Sequence, residues 1–189
     1  RQGLGNDEPS SGHWVEDLST FVRCITRGLP AVYLPLAYNQ NFQIVQSPGY
    51  VTILYEMMHE ARVIPVDEGQ RLPQHVRQWW GDPRGRGDGD TLVVETTNFL
   101  RETGFRSGST DANLRLTERF TRVDANTLHY EFTVDDPMTW ERPWSAEIPM
   151  VKTDGRLFEY TCHEGNYGMR NTLRGARVAD RRAAAEAGR

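Results

Sequence analysis

The chain has 189 residues, a net charge of −4 and 38% hydrophobic residues, which suits one domain with its own core. That charge argues against a nucleic-acid binder, which carries a basic face, and no apolar run is long enough to span a bilayer as a helix. Of the 22 basic residues only Lys152 is a lysine, so imine chemistry has a single candidate, whereas arginine suits bidentate binding of carboxylate or phosphate.

Residues 1–10 are polar and glycine-rich and read as loose. Ser11 is placed to cap a helix over residues 12–27, with Trp14, Leu18, Phe21 and Val22 on one face and Gly28 and Pro30 to stop it. Residues 29–40 hold prolines among apolar side chains and read as a packed, irregular crossing. Strands follow at 41–46, 50–57 and 60–66, with Ser47-Pro48-Gly49 as the first turn. Residues 73–80 read as a short helix with Pro73 in its first turn and Gly81 at its end. Residues 81–90 read as a loop. Its Arg86-Gly87-Asp88 tripeptide is short enough to arise by chance, and Asp82, Asp88 and Asp90 lack the spacing of a calcium loop. A strand at 91–98 precedes a polar excursion, 100–112, suited to covering a cavity mouth.

The clearest alternation comes next. Leu114, Leu116, Glu118 and Phe120 share one face of a strand, and Leu128, Tyr130, Phe132 and Val134 share one face of the next. Asp124-Ala125-Asn126 turns between them. A loop with Trp140 and Trp144 leads to a strand at 146–152, a turn at Thr153-Asp154-Gly155 and a last strand at 156–164. Asn171 is placed to cap a terminal helix whose end, 181–189, frays.

About eight strands joined by turns, without the helices a parallel sheet needs, imply a mainly β fold. The expected architecture is an antiparallel up-and-down, lipocalin-like β-barrel forming a single domain. Residues 1–40 supply the N-terminal helix and crossing, 41–167 the barrel, and 168–189 a short C-terminal helix or tail. An open curved sheet wrapped around the N-terminal helix is the alternative. Cys24 and Cys162 are expected to pair in an oxidised compartment, tying the N-terminal segment to the last strand, with two buried thiols as the alternative. A start at Arg1 rather than Met fits removal of a signal peptide.

Several stretches carry a resemblance: Phe42–Gln46, Gly89–Thr96, Glu118-Arg119-Phe120, Asp135-Asp136-Pro137 with Pro143-Trp144, and Glu159-Tyr160 with Cys162 and Glu164. Over most of residues 41–167 the chain resembles a widespread family of exported bacterial β-rich proteins. It has Gly87-Asp88 where many similar sequences carry Trp-Glu. The resemblance implies a single domain and a periplasmic or secreted location, and it carries no activity.

Strand phase turns Glu118 and Glu164 inward, where an unpaired carboxylate is costly. Adding Arg62, in phase with Ile64, and His59 from the preceding connection gives a candidate catalytic set of Glu118, Glu164, His59 and Arg62. Glu56, Tyr130, Tyr160, Trp140, Trp144 and His163 are the candidate ligand-binding residues. The chemistry that fits is cofactor-independent acid–base catalysis by a lyase, isomerase or hydrolase on a small, partly apolar molecule. A non-catalytic carrier or sensor is the first alternative. A metal-dependent enzyme using His59, His163 and a glutamate is the second, without HxH or HExxH spacing behind it. A third account makes Arg62 and Glu118 an internal ion pair with no catalytic role. The expected partner is a small molecule, with neither nucleic acid nor a membrane span.

Overall fold

The structure, a computed structural model, describes residues 12–35, 38–67, 69–101, 103–105, 108–109 and 112–188. The expected loose stretch 1–10, the cap at Ser11 and part of the 100–112 excursion lie outside them. The strands are β1 (Phe42–Ser47), β2 (Tyr50–Tyr55), β3 (Ala61–Pro65), β4 (Asp82–Asp88), β5 (Thr91–Thr97), β6 (Gly104–Phe105), β7 (Gly108–Ser109), β8 (Arg115–Arg122), β9 (Thr127–Asp135) and β10 (Trp144–Val151). One helix, α1 (Tyr167–Ala187), follows.

The fold is mainly β, as the alternation requires. One antiparallel sheet has three strands in the order β1-β2-β3, and another has five in the order β10-β9-β8-β5-β4. The central hairpin sets Glu118 opposite Phe132 and Phe120 opposite Tyr130. The sheets meet where Val66, just past β3, bridges Gly85 of β4 in the parallel sense. A Cβ on Gly85 would lie 3.0 Å from the Ile64 Cγ2, so glycine is what allows this close approach. The outer strands β1 and β10 do not pair with each other, so no closed barrel forms among the described residues. Inward residues of both sheets make one core with Leu29, Val32 and Tyr33 from the crossing segment, which is packed as expected.

Four sequence expectations are corrected. The N-terminal segment is not an α-helix: it makes one 3-10 turn, Val15–Asp17, and then loops. Asp17 accepts from the Trp14 N–H and Ser19 from the Val22 N–H, as at helix starts, but no helix runs on from either, and Cys24 turns to a positive φ of 55°. Residues 73–80 are not helical either. The Gln78 N–H donates to the Asn98 carbonyl, and the Asn98 amide donates to the carbonyls of Leu72, Pro73 and Val76. The stretch read as a loop, 81–90, contains β4, whose Pro83 is tolerated because β4 is the end strand of its sheet. The expected last strand, 156–164, has no strand structure. Its amides are taken elsewhere: the Phe158 N–H donates to Glu56 and the Tyr160 N–H to His59.

Cys24 and Cys162 form a disulfide, with Cα atoms 5.8 Å apart across 138 residues of sequence. The helix begins earlier than expected, capped by Asn166, whose side chain accepts from the Met169 N–H and donates to the Val22 carbonyl. No described helix is long and apolar enough to cross a membrane.

Candidate functional site

Three of the sequence candidates meet inside the core. Glu118 from β8 is wholly buried, on the inward face its phase requires, and one of its oxygens lies 2.5 Å from the Arg62 Nη2 of β3. The other accepts from the Tyr130 hydroxyl at 2.9 Å. The same Arg62 nitrogen donates to Thr96 Oγ1 at 2.7 Å, while Nε and Nη1 are buried without a hydrogen-bond partner. Burial works against a charged guanidinium, yet Glu118 and the phenols of Tyr55 and Tyr33 together raise the Arg62 pKa, so Arg62 stays cationic. Burial foremost, with Glu118 adding to it, lifts the phenols of Tyr33 and Tyr130 well above the usual tyrosine value, which keeps them neutral donors. The Tyr33 and Tyr55 hydroxyls bond to each other. Glu118 therefore sits in a buried polar cluster with aromatic rings around it, Tyr33 lying 4.4 Å from Tyr130 between ring centroids.

The remaining candidates are elsewhere. Glu56 is buried and spends its carboxylate on the Asn41 amide and the Phe158 N–H. His59 is exposed and accepts from the Tyr160 N–H at 3.1 Å. Tyr160 stacks between Phe21 and Tyr38 rather than facing Glu118. Trp140 and Trp144 contact each other edge to face, and Trp144 packs on Phe132. Glu164 and His163 are exposed, so Glu164 is not the inward carboxylate that strand phase implied. Among the described residues, no three His, Cys, Asp or Glu side chains converge as a metal-binding group.

Among the cavities that the described residues line are two at the surface, and Glu118 lines neither of them. The smaller, about 440 Å³, is lined by Glu60, Arg62, Arg77, Trp79 and Trp80 among others. Burial pushes Glu60 up to about 8, against hydrogen bonds from the Thr26 hydroxyl and the Trp80 indole that hold it down. Sequence reasoning passed over Glu60, although a period of two puts it in phase with Arg62 and Ile64.

The larger cavity, about 560 Å³, is a cleft between β1 and β10. Phe42 and Ile44 line it from β1, Leu128 from β9, Ile148 and Met150 from β10, and Tyr33 from the crossing. Tyr33 thus belongs both to the cleft lining and to the buried cluster around Glu118. The lining also holds Gln40 and Asn41, just before β1, and polar residues of the hairpin end, including Arg122, Asp124, Asn126 and Lys152. The signal for these residues is again phase: Phe42 and Ile44 face inward opposite Tyr55 and Ile53, and Ile148 and Met150 opposite Tyr130 and Leu128. Their convergence joins strands about a hundred residues apart and is visible only in the fold. Compared with family models, curated proteins and solved structures, the chain gives no match.

Proposed function

We propose that this protein is a non-catalytic carrier or sensor that takes a small, partly apolar molecule into the cleft between β1 and β10. The carrying observation is the cleft itself: about 560 Å³, apolar on its strand faces and polar at the hairpin end. Its size and mixed lining are those of small-molecule sites. In this reading the unpaired seam does the work of a lipocalin-like barrel mouth, with ligand lying where β1 and β10 would otherwise pair. Export to the periplasm or beyond fits the disulfide. The acid–base role for Glu118 loses ground because both its oxygens are engaged and it lines neither of these two cavities.

The test is binding of an apolar fluorescent dye, N-phenyl-1-naphthylamine, to wild type and to Ile148→Trp, which fills the cleft from β10. Saturable binding lost in the variant supports the reading. Equal binding by both, or none by wild type, removes it.

A second reading keeps an acid–base lyase, isomerase or hydrolase but moves it to the smaller cavity. Glu60 favours it, since a carboxyl raised to about 8 beside Arg62 and Arg77 holds a proton near neutral pH. Conversion of a ligand recovered from the native protein, if unchanged in Glu60→Gln, would exclude this reading.

A further inference from the structure

The cleft has a polarity of its own, and this inference rests on its being the ligand site. On β8 the inward residues Leu116, Glu118 and Phe120 are followed in phase by Arg122, which sits opposite Leu128 of β9. On β10 Ile148 and Met150 are followed in phase by Lys152, just beyond the strand. Period two therefore sets both cations at the hairpin end of the cleft, and both line it. Lys152 is held there by its backbone, whose N–H donates to the Asn126 carbonyl at 2.7 Å.

The Asn126 N–H foremost, with the Arg122 charge adding to it, holds the Asp124 carboxyl below the usual aspartate value, so Arg122 is offset in part and Lys152 is not. Arg122 spends Nε on the Asp124 carbonyl of its own turn at 3.1 Å, and its two terminal nitrogens take no partner among the described residues. The Lys152 ammonium makes no hydrogen bond or ion pair among them. Asp124 is the one acid in the lining, and its carboxylate is turned onto the turn backbone, accepting from the Asn126 N–H at 2.7 Å. Two cations against one acid leave the lining of the cleft with a balance of one positive charge. Away from that end the strand faces contribute only apolar side chains, Phe42, Ile44, Leu128, Ile148 and Met150. A neutral apolar ligand has no use for a net positive end, and a compact anion has no use for the apolar walls.

We propose that the cleft takes a single-chain amphiphile with a carboxylate head, the head pairing with Arg122 and Lys152 and the alkyl chain lying along Phe42, Ile44, Leu128, Ile148 and Met150. Arginine gives the head a bidentate fork, and lysine adds a point charge. Each further methylene inside the cleft tightens binding about fourfold until the chain reaches the end of the apolar walls.

The experiment measures displacement of N-phenyl-1-naphthylamine by decanoate, decanol and decyltrimethylammonium, on wild type and on the double variant Arg122→Gln/Lys152→Gln. Both positions are exposed, and a circular dichroism spectrum checks that the variant keeps the fold. Decanoate should bind wild type about tenfold or more tightly than decanol, and the ammonium weakest. The double variant should lose that margin, binding decanoate no more tightly than decanol. Octanoate against decanoate should show the methylene increment. If the dye binds wild type but decanoate is no tighter than decanol, or the double variant keeps the margin, this inference falls and the carrier reading stands. If neither dye nor amphiphile binds, both fall together.

Discussion

At the scale of single residues, Glu118 and Glu60 show how environment assigns roles to the same side chain. Glu118 is buried and held by Arg62 and Tyr130, and in the proposed carrier its role is structural. Glu118→Gln should therefore cost roughly 3–5 kcal/mol, because it leaves the Arg62 charge buried without its counter-charge. Urea unfolding checks this, and binding in the cleft should persist. A variant as stable as wild type would mean that the pair contributes nothing. Glu60 is partly open and prefers to keep its proton in the folded state, its pKa rising from 4.5 to about 8. Between those values the folded chain binds more protons here than the unfolded chain, so this residue's contribution to stability falls as pH rises. It is most favourable below about 4.5 and lost once pH passes about 8. Glu60→Gln removes the titration. Relative to wild type the variant should gain about 2 kcal/mol between pH 5 and pH 9, an amount reduced for partial exposure. A difference that stays flat with pH would contradict the assignment. The inward phase of Glu118 and its Arg62 partner were legible from alternation alone. Glu164 was not, because Phe158, Tyr160 and Cys162 alternate in a segment whose amides bond to Glu56 and His59 instead of to a strand. Alternation reports which face a residue would take, and says nothing of whether a neighbouring edge accepts the strand.

At the scale of elements, the hairpins were legible and the segments around them were not. The β8–β9 hairpin has apolar and polar faces in strict alternation around an Asp-Ala-Asn turn, so local and global preferences agree. The segment carrying Trp14, Leu18, Phe21 and Val22 has helical spacing, but Cys24 takes a positive φ of 55°, which breaks the helical course. Its conformation follows the covalent tie to Cys162 and the Asn166 contacts as much as its own pattern. That tie closes a long loop between two segments that lack regular strand or helix structure. Reduction should lower stability by about 3–5 kcal/mol, read as a fall in the urea midpoint when a reductant is present. An unchanged midpoint would show that packing alone holds residues 19–25 and 156–164 in place.

At the scale of the whole molecule, the two sheets share one core but leave the seam between β1 and β10 open. The mainly β composition of the fold followed from strand count and turns. The open seam did not, because it depends on the 156–164 segment leaving β10 to cross to Glu56 and His59, a long-range choice decided by two side chains and a disulfide. Function is proposed to reside in that seam rather than around the buried carboxylate. The most direct test is methyl NMR with labelled isoleucine and methionine during titration with decanoate. The account predicts saturable shifts at Ile44, Ile148 and Met150, which line the cleft, with Ile53 and Ile64 of the closed core unmoved. Shifts confined to Ile53 and Ile64, or no shifts at any concentration, would contradict it.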